Sequence, residues 1–132
     1  MNYLLDTHSL IWTHVYPDKL SKTIQQVVSN LENTIYVSAI SFWEISLKYA
    51  LGKLDIKGVK PEDFLEYSHR AGFEIVDLQA DTAVSLHNLP ETKNKDPFDR
   101  MLAWQAINKD YYLITKDEDF TSLTNYGLKI VW

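Results

Sequence analysis

Apolar residues follow two rhythms along the chain. Short runs rich in β-branched and aromatic residues read as strands: "NYLL" at 2–5, "IYV" at 35–37, "FEIVDL" at 73–78, "YYLIT" at 111–115 and "LKIVW" at 128–132. Between them the spacing becomes helical. A helix over 7–15 opens with Asp6 or Thr7 as its cap, and one over 21–32 places Ile24, Val27, Val28 and Leu31 on one face. Residues 39–51 form a third helix that Gly52 ends, and a fourth runs from Pro61 to Gly72. "ADTAVSLHNLP" is a short helix capped near Asp81, and a last helix starts at Pro97. Short apolar strands alternating with helices predict an α/β fold whose parallel sheet is covered on both faces. No repeat or linker divides the 132 residues, so a single domain over 1–132 is expected.

In such folds ligands bind beyond the carboxyl ends of the strands, where strand order reverses. Asp6 directly follows the first strand, and Asp117 lies two residues past Thr115 at the end of "YYLIT". The helix that leads into that strand begins on the same side of the sheet, which brings Asp99 to the same rim. Each acid also has a local explanation. Asp96 suits an N-cap with Pro97 at the first helical position, and Asp99 then answers the helix dipole. The apolar residues from Met101 to Ile107 make this a helix buried on most of its surface. Asp6 caps the first helix, and Asp117 starts a turn within "KDEDF".

Glu44 is more informative, because it shares a helical stripe with Ile40, Leu47 and Leu51, the face expected to be buried. A lone buried carboxylate is costly and takes up a proton or finds a partner. The ordinary alternative is an ion pair with Lys48 one turn on. Three or four carboxylates on one rim repel unless something positive joins them. Oxygen donors alone, without clustered His, suit Mg²⁺ or Mn²⁺ and phosphodiester cleavage.

Composition narrows the field. Without cysteine there are no disulfides, thiolate metal sites or cysteine nucleophiles. No apolar run approaches the ~20 residues of a membrane span, and "MNYLLD" lacks the basic region of a signal peptide, so the cytoplasm is the expected location. A net charge of −5 opposes nucleic-acid binding by charge alone. Bound cations, local lysines or a basic partner would be needed.

Four segments, "NYLLDTHSLIW", "SAISFWEISLKYALGKL", "KDPFDRMLAWQA" and "LITKDEDF", together resemble PIN domains, most closely the VapC-type toxins of bacterial toxin–antitoxin pairs. The likeness runs in order from residue 3 to about residue 120. It implies a three-layer α/β/α fold with a mainly parallel central sheet, and Mg²⁺- or Mn²⁺-dependent endoribonuclease activity. By position, Asp6, Glu44 and Asp99 correspond to the family's three core acids, Asp117 to the fourth, and Thr115 to a hydroxyl often found beside it. Asp96 remains a cap or outer support. The resemblance further implies an RNA substrate, inhibition by a VapB-like antitoxin that brings the basic, DNA-binding part, and a homodimer.

Other residues read as structural. Arg100 is expected to pair with Asp96 or Asp99, the alternative being a phosphate or the antitoxin's carboxylates. Lys93, Lys95 and Lys116 lie in loops near the rim, where they are either solvated or track an RNA backbone. His8, His14, His69 and His87 are not spaced as a metal cluster. Trp12, Trp43, Trp104 and Trp132 read as core or interface, and Tyr3, Phe64 and Phe73 as core. A haloacid-dehalogenase-like phosphatase needs a second Asp where His8 stands, which excludes it. Two alternatives remain open: a phosphorelay receiver using Asp77 and Lys116, and a PIN domain that binds without cutting.

Overall fold

The computed structural model describes residues 1–132. Five parallel strands, β1 (Asn2–Leu5), β2 (Thr34–Ser38), β3 (Glu74–Val76), β4 (Tyr112–Ile114) and β5 (Lys129–Val131), form one sheet in the order β3-β2-β1-β4-β5. The chain steps outward from β1 through β2 to β3, then returns to the far side of β1. Strand order therefore reverses between β1 and β4, where Leu5 pairs with Ile114.

Six helices cover the sheet: α1 (Thr7–Val15), α2 (Lys22–Ser29), α3 (Ala39–Ala50), α4 (Pro61–Arg70), α5 (Ala80–Ser85) and α6 (Pro97–Lys109). Alternate strand residues serve opposite faces, as the pleat requires. Tyr3, Leu5, Ile35, Val37 and Ile114 pack with Leu10 and Ile11 of α1, Ile24 of α2, Ile45 of α3 and Phe64 of α4. Leu4 and Leu113 point the other way, against Leu102, Ala103 and Ala106 of α6 and Phe120 and Leu123 beyond β4. This is the expected three-layer α/β/α arrangement. Leu4, Leu5, Leu113 and Ile114 are wholly buried, each contributing about 2 kcal/mol relative to exposure. Tyr3, Phe64 and Phe73 are core residues, as expected.

Several boundaries differ from expectation. Helix α2 ends at Ser29, and Leu31, expected on its buried face, is 97% exposed. Asn30 closes the helix: its side chain accepts from the Glu32 N–H, and its carbonyl from the Asn33 N–H, forming a turn into β2. The cap of α5 is Gln79, with Asp81 inside the first turn, and the helix tightens into a 3₁₀ turn at Leu86–Asn88. Asp117, expected to start a turn within "KDEDF", opens a longer 3₁₀ segment over Glu118–Tyr126, which Gly127 ends at φ 100°. No helix is long and apolar enough to cross a membrane.

His14 on α1 lies among aromatic rings, 6.3 Å from Phe64, 5.7 Å from Tyr67 and 5.8 Å from Phe73 between centroids. Burial there lowers its pKa from 6.5 to about 4. The unfolded chain takes up this proton first. The effect on stability is absent above pH 6.5 and grows as pH falls toward 4. We expect the urea midpoint to fall across that window, and His14→Phe, which keeps an aromatic ring there, to flatten the fall.

Candidate active site

The site is built outward from Asp6, at the strand-order reversal. Asp6 caps α1: its Oδ1 accepts the Ser9 N–H at 2.8 Å, and its own N–H donates to the Ile114 carbonyl at 3.1 Å. Ser9 Oγ reaches the same carbonyl at 3.2 Å, tying α1 to β4. Only 3% of Asp6 is exposed. Burial raises its pKa, opposed by hydrogen bonds from Ser9 and from the Thr115 hydroxyl and by the charge of His8. Thr115, itself buried, also accepts the Asp117 N–H at 3.0 Å. Asp117 is exposed, and its carboxylate accepts the Asp119 N–H at 2.9 Å.

Glu44 descends from α3, which starts where β2 ends and so runs away from the same rim. It is 3% exposed. Lys48 donates to Oε2, the one-turn pair anticipated above, while Oε1 is buried without any hydrogen-bond partner. Burial works against the Lys48 ammonium, but the hydrogen bond and charge of Glu44, reinforced by Asp96 and Asp99, raise its pKa on balance. Asp99 comes from the first turn of α6. Asp96 caps that helix through the Phe98 and Asp99 N–H groups at 2.8 and 3.1 Å. Asp99 Oδ2 accepts from Asn94 Nδ2 at 3.2 Å. Burial raises the Asp99 pKa to about 7; Asn94 pulls it down, and the charges of Asp96, Glu44 and Asp6 push it up.

Asp99 therefore feels the charges of Asp6, Glu44 and Asp96. Asp117 stands apart from them: with Asp6, His8, Trp12, Lys116, Glu118 and Asp119 it lines a cleft of about 490 Å³ whose lining does not include Glu44 or Asp99. No three carboxylate or imidazole groups lie close enough together to enclose a cation by themselves. The arrangement suits Mg²⁺, which keeps several waters and takes only one or two carboxylates from a protein. The unpartnered Oε1 of Glu44, the proton-retaining Asp99 and a donor set made only of oxygens all fit such an ion.

Some expectations fail here. Leu47 and Leu51 are 41% and 58% exposed, so the stripe that holds Ile40 and Glu44 is buried no further than Glu44. Of the two roles expected for Trp43, core is ruled out, since it is 59% exposed and edge-on to Phe98. Arg100 pairs with neither Asp96 nor Asp99. One residue past Asp99, it turns back over the preceding loop and donates to the carbonyls of Leu89 at 3.0 Å, Pro90 at 3.1 Å and Asn94 at 3.4 Å. Two supporting groups escaped the sequence reading, Ser9 and Asn94. Asn94 is legible in retrospect, since an amide before the Asp-Pro cap can reach the first turn. The receiver reading weakens, because Asp77 follows β3 at the sheet's edge while the central strand carries Asp6.

A three-layer α/β/α fold with buried acids at its switch point defines a class of acidic-centred domains. The PIN domain family model matches residues 3–125, and the chain belongs to that family. It is 28% identical over 131 residues to Ribonuclease VapC22 of Mycobacterium tuberculosis, covering 98% of this chain and 97% of that protein. Its fold is similar to VapBC2 from Rickettsia felis, solved bound to a DNA fragment from its promoter (TM-score 0.68, 23% identity, 99% of this chain and 98% of that one). It is also similar to VapBC-5 from M. tuberculosis, a member of the VapBC family of toxin-antitoxin systems (TM-score 0.62, 17% identity, 98% and 97%).

Asparagine caps a helix as well as aspartate does, so Asp6→Asn should melt at the wild-type temperature or above, a buried repelling charge having gone. Asp6→Ala loses the cap and should be about 1 kcal/mol less stable in denaturant titration. Unfolding of Asp6→Asn would make the carboxylate a structural necessity.

Proposed function

We propose that this protein is a Mg²⁺- or Mn²⁺-dependent endoribonuclease and the toxin of a toxin–antitoxin pair. The observation that carries the reading is that the buried acids Asp6 and Glu44 both act electrostatically on half-buried Asp99, with one Glu44 oxygen left unpartnered. The names of the relatives support it: a ribonuclease in one case, toxin–antitoxin complexes in others.

In this reading one or two of Asp6, Glu44 and Asp99 hold the ion directly, and the remaining acids, Asp117 among them, reach it through its waters. A bound divalent cation supplies an activated water and offsets charge on the phosphate and leaving oxygen. The chain's own residues do the positioning. Ser9 and Thr115 fix the Asp6 carboxylate, Asn94 fixes Asp99, and Lys48 turns one oxygen of Glu44 away and leaves the other free. Neutralising the acids also removes the electrostatic objection to a phosphate substrate. Lys116, in the cleft wall, is a cation within reach of the RNA backbone.

The antitoxin reading is supported by the row Trp43, Leu47 and Leu51, one helical turn apart and exposed on α3. Apolar rows of this kind mark partner surfaces. A cytoplasmic location and a homodimer belong to the same proposal.

RNA incubated with the wild type in Mg²⁺ or Mn²⁺ should be cut, and EDTA should abolish the cuts. Asp6→Asn and Asp99→Asn should lose more than about a hundredfold in rate, and Asn94→Ala about tenfold, as outer supports of metal ligands do. Mg²⁺ should raise the melting temperature of wild type more than that of Asp99→Asn. RNA bound but never cut would favour the silent PIN domain. Asp77 modified by acetyl phosphate would favour the receiver.

A further inference from the structure

One corner of the molecule gathers aromatic rings and lysines in alternation. Trp12 lines the cleft beside Asp6 and rests edge-on against Trp132, 5.9 Å between centroids. Next along is Lys19, its ammonium 5.7 Å from the Trp12 ring and 4.6 Å from that of Tyr16. Lys57 covers Tyr16 in turn, at 4.3 Å. The one other lysine set over a ring, Lys129 on Tyr112, is also bound to Asp110, so its charge is already matched. Lys19 and Lys57 make no ion pair with any carboxylate. Both are exposed, while Trp12 and Tyr16 are half-buried.

A second observation concerns the backbone. Lys57 has φ 55°, one of only two non-glycine residues in the left-handed region. A branched-free but Cβ-bearing residue adopts that conformation at a cost, where Asn or Gly would not. The turn is held by Asp55, whose carboxylate accepts the Lys57 N–H at 3.2 Å, and by Gly58 at φ 75°. The outcome of that cost is a lysine aimed at Tyr16.

Alternating stacking faces and unpaired cations are what a single strand of nucleic acid requires, because every base has a π-face and every link a charge. We infer that Trp12, Tyr16, Lys19 and Lys57 form a track that receives single-stranded RNA on leaving the acid centre, with a base on Trp12 and backbone phosphates on Lys19 and Lys57. The inference rests on the proposed ribonuclease reading. It assigns the strand's path to the side of Trp12, away from the acidic run Asp117, Glu118 and Asp119 that also lines the cleft. It also changes the reading of Trp12, taken from sequence as core or interface.

The test uses the full chain carrying Asp6→Asn, in Mg²⁺, with a labelled single-stranded oligoribonucleotide of random sequence about twelve nucleotides long. Adding Lys19→Gln or Lys57→Gln should weaken binding, and each should reduce the slope of log affinity against log salt by about 0.7. Adding Trp12→Leu should weaken binding roughly tenfold with the salt slope unchanged. Trp12→Phe, which keeps a ring against Trp132, should bind nearly as well yet lose most of the tryptophan quenching that RNA causes. Affinity and quenching unmoved by all four changes, or no binding by the unsubstituted scaffold, overturns the track. So does a glutamate-rich peptide that binds through the same residues in place of RNA. Wild-type cleavage of the same oligonucleotide separates the two claims. Cutting without track-dependent binding leaves the activity and removes the track. Track-dependent binding without cutting does the reverse.

Discussion

Asp6 is a carboxylate in a place where the fold offers almost no water. It follows the central strand at the point where strand order reverses, with wholly buried leucine and isoleucine on both flanks. A charge there would be costly by itself, and the surrounding polar groups are arranged to hold it. The first turn of α1 supplies a backbone N–H, Ser9 ties that turn to β4, and Thr115 adds a hydroxyl from the next strand. The acid thus clamps α1 to the β1–β4 junction while its remaining electron pairs face the cleft. The same burial that makes Asp6 useful for holding a cation also makes it dependent on its neighbours.

The other acids repeat that compromise in graded form. Glu44 is as deeply buried but has one lysine partner and one bare oxygen. Asp99 is nearer the surface, and its carboxyl holds its proton up to about pH 7 because burial and three nearby acids all disfavour the charge. Asp117 is in open solvent and spends one oxygen on capping the 3₁₀ segment after β4. From Glu44 through Asp99 to Asp117, desolvation fades and ordinary helix capping takes over.

Much of this was legible in the residues. Asp6 and Asp117 fell at strand ends because the strands are short and bounded, and "KDPFD" announced the start of α6 by cap and proline together. The layered architecture followed from the alternation of strand and helix. What failed to show was tertiary. Leu31, Leu47 and Leu51 sit at helical spacing but outside the core, because periodicity reports one apolar face without saying what covers it. The segment after Asp117 offers only Phe120 and Leu123, three residues apart, and its 3₁₀ winding drops both into the core. Arg100 looked like an ion-pair partner because acids surround it in sequence, yet Asp99 lies about a quarter turn away on the helix, and Asp96 spends its carboxylate on the cap.

That arginine gives the loop from Leu89 to Asn94 an unusual property. Its guanidinium bridges carbonyls at both ends of the segment, and the far end carries the amide that steadies Asp99. Surface loops ordinarily absorb insertions and deletions with little consequence. Here a single added residue would break the bridge and shift the amide with it. The length of this outer loop is thereby bound to the geometry of an acid inside the protein.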